Sequence, residues 1–197
     1  MKELIFATNN PHKLQEVRAI FEGSDVRILS LGDVGCVHET VEDGATFYEN
    51  ARKKAREIAE LLGKPAVADD TGLVIKALNG APGVYSARFA PEGKRCARVL
   101  AEMEGKDDRE AYFETCVVCV FPDGSEIAES ARVPGHITRE RRGENNFGYD
   151  PVFFCDELGK TYAEMTMEEK NGCSHRGRAF RKFKEALDKR WENHHDQ

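Results

Sequence analysis

Positive charge is in short supply. The chain carries 29 Lys and Arg against 35 Asp and Glu, a formal net charge of −6. A face basic enough to displace counterions from a nucleic acid is therefore not expected, and nucleic acid is excluded as a partner. One local cluster of cations would still serve a small phosphorylated ligand. Long apolar runs are missing too. No stretch approaches the ~20 residues that span a bilayer, so no membrane partner is expected. The first apolar run, Leu4 to Ala7, turns polar before a secretory core can form. Also lacking are a glycine-rich Walker loop, a G-x-S-x-G nucleophile elbow and histidines at ligand spacing. Of six cysteines, only Cys116 and Cys119 form a C-x-x-C. They lie in TCVVCVF, which reads as a strand, where residues three apart point to opposite faces and cannot share a metal. Reduced, mostly buried thiols in a reducing, cytoplasmic compartment are expected.

What is present is the balance of a globular protein: 197 residues, 40% hydrophobic and 32% charged. That is enough for one domain or two packed lobes. Repeats, low-complexity tracts and long linkers are absent from the sequence. Strand-like and helix-like segments alternate in the first half. Leu4 to Ala7 is a strand. Asn9 or Asn10 caps the following helix, Pro11 suits its first position, and Leu14, Val17, Ile20 and Phe21 give it an apolar face. Val26 to Leu29 is a second strand. Thr46-x-x-Glu49 is a capping box opening a helix with Phe47, Ala51, Ala55, Ile58 and Leu62 as its stripe. Pro65 to Ala68 is a short strand ending at Asp69 and Asp70, and Leu73 to Leu78 is apolar enough to be buried. A helix over Lys94 to Met103 precedes two strands, Tyr112 to Phe121 and Glu126 to Val133, whose short connection sets them antiparallel. Val152 to Phe154 is extended. A last helix runs from about Ser174 to Trp191, and the tail, 193–197, is expected to fray. The fold class is α/β with a mixed sheet flanked by helices.

Five constellations can carry chemistry. Thr8, Asn9, Asn10, Pro11, His12 and Lys13 join a strand to a helix N-terminus, where unpaired N–H groups and the helix dipole attract anions; an ordinary capped helix reads the same way. Asp69 and Asp70, followed by Thr71 and Gly72, place adjacent carboxylates where a hard cation such as Mg²⁺ or a solvated turn accounts for them. Glu42-Asp43-Gly44 precedes the second helix, on which Asn50 and Lys54 lie beside the buried stripe; Lys54 must snorkel or meet an anion. Asn146, Phe147, Gly148, Tyr149 and Asp150 place an aromatic beside glycine in a loop, able to stack on a planar base or simply to form a turn. Ser174, His175 and Arg176 open the last helix, either as a cap or as donors into a site.

Six stretches, ATNNPHKLQEV, EDGATFYENARKKA, VADDTGL, ALNGAPGVYSARF, NNFGYDPVFF and SHRGRAF, occur in this order up to about residue 180. Together they resemble the inosine triphosphate pyrophosphatase family, whose members hydrolyse non-standard purine nucleoside triphosphates. Thr71 stands where serine is commoner, and Asn145-Asn146 replaces a glycine pair. The resemblance implies a long twisted mixed sheet flanked by helices, with two lobes of one domain and the active-site cleft between them. It also implies a homodimer and a Mg²⁺-dependent release of pyrophosphate from ITP, dITP or XTP.

By the same resemblance, Asp70 is the proton acceptor and, with Glu42, a metal ligand, and Asp69 supports them. Thr8 to Lys13, Lys54 and Lys170 hold the triphosphate, with Thr71 beside them. Phe147 and Gly148 face the base; Tyr149, Asp150, His175 and Arg176 bind its edge or the sugar. Arg176 or a backbone N–H would donate to the purine 6-oxygen and mismatch the amino group of adenine. Two other readings stand beside this one: a pyrophosphatase for modified pyrimidine nucleotides, and a non-catalytic nucleotide sensor.

Overall fold

The structure, a computed structural model, describes residues 1–195. Seven strands form one mixed sheet: β1 (Lys2–Phe6), β2 (Val26–Ser30), β3 (Ala66–Ile75), β4 (Glu110–Val120), β5 (Glu126–Ile137), β6 (Phe153–Cys155) and β7 (Lys160–Thr161). Their order is β2-β1-β3-β4-β5-β6-β7. β1 pairs parallel with β2 and β3, whereas β5/β6 and β6/β7 are antiparallel. Five helices accompany the sheet: α1 (Pro11–Phe21), α2 (Phe47–Leu62), α3 (Arg95–Glu102), α4 (Met167–Cys173) and α5 (His175–His195). The expected α/β class and mixed sheet are what the chain adopts.

The chain divides into two compact units. The first comprises residues 1–70, 116–130 and 176 onward; the second comprises 71–115 and 131–175. The core of the first includes Ile5, Leu29, Ala51, Ala55, Ile58, Ala66 and Val118. α5 adds Phe180 and Phe183, whose rings meet Phe6 and Phe21 at 5.4 and 6.2 Å. The core of the second gathers Leu73, Val99, Met103, Phe113, Val133, Phe153 and Tyr162.

Local chemistry explains the boundaries. Asn10 is the N-cap of α1, with Pro11 at the first position, where its missing N–H loses nothing. Thr46 caps α2 through the Glu49 N–H, and Gly63 ends the helix in the left-handed region (φ 63°). The expected reciprocal arm of that box goes elsewhere, since Glu49 Oε2 accepts from the Ala45 N–H at 2.7 Å.

One expectation changes. Asp69 and Asp70 do not end a strand: β3 runs on through Thr71 to Ile75, because Gly72 does not break it and the β-branched Thr71, Val74 and Ile75 favour extension. The last helix starts where expected, as α5 opens at His175. Before it, across extended Ser174 (φ −66°, ψ 128°), stands a short helix the sequence reading did not include, α4, with its own capping box, Thr166 with Glu169. Trp191 is half-buried, with the Lys2 ammonium 4.4 Å from its ring centre. In the tail, 193–195 continue α5, and 196–197 lie outside the described residues. The six cysteines are unbridged, five of them buried.

Candidate active site

In the first unit, charge converges on β3. Neighbouring side chains on a strand point to opposite faces, and Asp69 and Asp70 meet different surroundings. Asp69 is 2% exposed. Its Oδ2 lies 3.2 Å from Lys13 Nζ and 3.4 Å from Arg176 Nε, and its carbonyl accepts from Lys54 Nζ at 2.6 Å. Burial alone would raise its pKa; the charges of Lys13, Arg176 and Lys54 reverse this and hold the carboxyl well below the usual range. Asp70 is treated oppositely. Burial pushes it up to about 6; Glu42 and Asp69 add to the rise, and Lys54 and the Asn50 amide oppose it.

Asn50 is the residue the sequence reading left out of the site. It is 1% exposed on α2. Its Nδ2 donates to Asp70 Oδ2 at 3.2 Å, and its Oδ1 accepts from the Gly44 N–H at 2.8 Å. One amide thus ties Asp70 to the segment that carries Glu42. The available signal was a polar residue beside a buried stripe, one turn before Lys54. Lys54 itself does not snorkel, because its Nζ is 2.9 Å from Glu42 Oε1. Burial disfavours its charge, yet Asp69 and Glu42 outweigh that and raise its pKa.

The turn before α1 differs from expectation. Four of its N–H groups are already engaged. Asn10 Oδ1 accepts from His12 N and Lys13 N at 3.0 and 3.3 Å, Thr8 Oγ1 accepts from Asn10 N at 3.1 Å, and Thr8 N donates to Phe6 O at 2.8 Å. The capping side chain takes the donors that an anion would need. What the turn keeps for an anion is the Lys13 ammonium and the cavity beside it, ≈ 270 Å³ and lined in part by Thr8, Asn9, Lys13, Glu42 and Lys54. Pro11 and His12 are exposed. Arg176 also departs from its expected base-edge role. Its guanidinium bonds Glu16 Oε2 at 2.9 Å as well as Asp69, because the first turn of α5 carries it into the first unit's charge network. Glu16, on α1, had no sequence signal beyond its helical position.

In the second unit the materials are aromatic. Phe147 is 55% exposed, its N–H held by Asn145 Oδ1 at 2.9 Å. Lys170 Nζ sits 5.1 Å from the Phe147 ring centre and 2.5 Å from Asp150 Oδ2. Asn145 Nδ2 donates to the same Asp150 oxygen at 3.0 Å. Lys170, expected at the triphosphate, is therefore grouped with Asp150 and Phe147: α4 presents it one turn after its Thr166 cap. His175 is buried and stacks on Phe113, with centroids 4.8 Å apart. Tyr149 corrects the expectation of an edge-binding phenol. It is buried, its hydroxyl donates to Ser86 O at 2.5 Å, and burial pushes its pKa up to about 12. Gly148 adopts φ +52°, and its carbonyl accepts from Cys96 Sγ at 3.2 Å. Thr71 Oγ1 pairs with Thr115 Oγ1 at 2.9 Å.

The loop that carries Phe147 is fixed at Gly143. There φ is +96°, and a Cβ would stand 2.4 Å from the Ala163 carbonyl carbon. Only glycine meets both conditions.

The geometry thus contains a carboxylate with raised basicity, a second carboxylate neutralised by cations, a polar cavity and a separate aromatic cluster around a buried aspartate. No group of three or more His, Cys, Asp or Glu side chains placed to hold a metal occurs among the described residues. Comparison with known proteins gives this arrangement a context. A dITP/XTP pyrophosphatase of Desulfotalea psychrophila is 47% identical over 186 residues, covering 92% of this chain and 83% of that one. One from a Thermoanaerobacter species is 45% identical, covering 96% and 98%. The structure of a HAM1 protein from Coxiella burnetii superimposes with a TM-score of 0.90 at 36% identity, covering 96% of this chain and all of that one. The Staphylococcus aureus Ham1 protein gives 0.88 at 35% identity, again over 96% of this chain and all of its own. A sequence model of the Ham1 family matches residues 4–186, and the chain belongs to that family.

Proposed function

We propose that the whole chain acts as one enzyme domain that hydrolyses non-standard purine nucleoside triphosphates, ITP, dITP and XTP, to the monophosphate and pyrophosphate. The observation that carries this is the arrangement at Asp69–Asp70: Lys13, Lys54 and Arg176 converge on Asp69, while the Asn50 amide holds Asp70 and ties it to the segment that carries Glu42. Phosphoryl transfer needs fixed cations to hold oxygens and a positioned base. Asp69 gathers the cations; Asp70 is the base.

Asp70 takes a proton from water as the water oxygen bonds to the α-phosphorus. The bond from that phosphorus to the bridging oxygen breaks, and pyrophosphate leaves with the electron pair. Lys13 and Lys54 hold the phosphoryl oxygens, and Asn50 keeps Asp70 oriented. Glu42 and Asp70 fit a divalent cation: both offer hard oxygens, and two carboxylates are the usual protein share for Mg²⁺, which takes its other ligands from phosphates and water. Bound there, the cation polarises the phosphoryl oxygens and acidifies the attacking water.

In the second unit, Phe147 supplies the stacking face, and Asp150, with Lys170 on it, addresses the ring or sugar donors. His175 packs behind them on Phe113. Resemblance to the family supports a cytoplasmic homodimer working on free nucleotides.

The test is a panel of ITP, XTP, dITP, GTP, ATP, dTTP and UTP with Mg²⁺ or EDTA, measuring pyrophosphate and orthophosphate separately. Pyrophosphate from ITP, dITP and XTP alone, abolished by EDTA, is the expected result. Orthophosphate would overturn attack at the α-phosphorus, pyrimidine turnover would overturn the purine assignment, and binding without turnover would favour a sensor.

A further inference from the structure

We propose that His38 is a ligand for the terminal phosphates of the substrate, held to that task by Glu57. The inference rests on the reading above, in which a nucleoside triphosphate is cleaved at its α-phosphorus. The ≈ 270 Å³ cavity of the first unit is lined by His38 together with Thr8, Asn9, Lys13, Glu42 and Lys54. In the connection from β2 to α2, which contributes His38, Leu31, Val34 and Cys36 pack on the core, whereas Val37 and Val41 beside His38 are exposed. His38 itself is fixed by polar contacts. His38 Nε2 is 2.7 Å from Glu57 Oε2, and Thr40 Oγ1 donates to that same oxygen at 2.7 Å.

The His38 hydrogen bond holds the Glu57 carboxyl below its ordinary range, so Glu57 is an acceptor for a proton on Nε2. With Nε2 committed to Glu57, Nδ1 is the nitrogen that can address an occupant of the cavity. The lining then carries two ammonium groups, Lys13 and Lys54, with the His38 ring beside them. Glu39 and Glu42 lie on the same lining, so a bare anion is a poor fit and a magnesium-complexed polyphosphate a good one.

The identity of the phosphates follows from the reading above. Asp70 serves the α-phosphorus, and the cavity lined by Lys13, Lys54 and His38 takes the β- and γ-phosphates, the part that leaves as pyrophosphate.

The experiment uses the full chain and isothermal calorimetry, with inorganic pyrophosphate plus Mg²⁺ as the probe and inosine monophosphate as the control, since the latter lacks terminal phosphates. His38→Ala should weaken magnesium pyrophosphate about tenfold, the size of one charge-assisted hydrogen bond. Inosine monophosphate should change less than twofold, and the urea midpoint should stay in place. Glu57→Gln should produce a smaller loss of the same selectivity. His38→Gln, which retains an amide toward Glu57, serves if the alanine variant folds poorly, and should lose pyrophosphate affinity alone. Equal weakening of both probes would show that His38 merely braces the loop, and unchanged pyrophosphate affinity would remove it from the site; either overturns the proposal. If the wild-type chain binds magnesium pyrophosphate through His38 but releases none from ITP, the hydrolytic reading fails while the ligand assignment stands.

Discussion

Asp69 and Asp150 are both almost fully buried carboxylates bonded to a lysine, yet they serve different kinds of surroundings. Asp69 sits inside a ten-residue strand, and cations reach it from α1, α2 and α5. Asp150 opens a 3₁₀ turn after a long loop, with the Lys170 ammonium and the Asn145 amide beside it and the Phe147 ring near that ammonium. In the first unit, position is set by regular secondary structure and the partners are cations. In the second, position is set by a loop, and a lysine and an amide are joined by an exposed ring. A triphosphate is the same in every nucleotide and suits the rigid, generic arrangement. A base differs between nucleotides, and a loop can vary without disturbing a strand.

The sharpest way to break this comparison is Asp70→Asn. Loss of a general base lowers kcat by about 10³-fold or more, measured as pyrophosphate release, while calorimetric affinity for inosine monophosphate persists. Asp69→Asn comes next. It leaves Lys13, Arg176 and Lys54 without their buried counter-charge, which costs about 3–5 kcal/mol of stability in urea. The pH dependence has a definite sign. Asp69 is depressed in the fold, so its contribution is fully present above about pH 4 and is lost as pH falls through the lower folded value. The variant should show a flatter acid limb.

Phe147→Ala should act only on the other half of the comparison. Losing a stacking face costs about 1–3 kcal/mol in nucleotide binding, with no change in magnesium pyrophosphate affinity or in the unfolding midpoint. Asp70 also makes a stability prediction. Because its folded pKa is raised to about 6, folding is progressively opposed as pH rises from about 4 to 6. Asp70→Asn should therefore be more stable than the wild type in metal-free buffer at pH 7.5, by about 3 kcal/mol, and equal to it near pH 4. Asn10→Ala, the smallest effect, removes the α1 cap and costs about 1 kcal/mol; by thermal melting it should shift the first unit alone.

Much of this was legible in the sequence where a local rule decides. The Asn10 cap, the Thr46 cap and the short connection between β4 and β5 each depend on residues a few positions apart. The ordered motifs pointed to Asp70, Glu42, Lys13 and Lys54, of which Glu42, Lys13 and Lys54 line one cavity. What was not legible depends on partners far along the chain. Arg176 looked like a base-edge donor until Asp69, 107 residues away, was seen to hold it. Tyr149 looked like a ligand until Ser86, 63 residues away, was seen to take its hydroxyl. α4 was missed because its seven residues are too short to show an apolar period, and the strand end at Asp70 was misplaced because two adjacent aspartates ordinarily disfavour a strand.

Gly143 has a consequence for how this family can diversify. The loop it fixes holds exposed Asn146 and Phe147, and Asn145, which is tied to Asp150 and to the Phe147 N–H, beyond a point where Ala163 leaves no room for a side chain. Under random mutagenesis, position 143 would be a silent gap in any library of active clones, while 146 would accept many residues. Substrate preference can thus drift through Asn146, with Gly143 acting as the fixed address from which every variant loop is read.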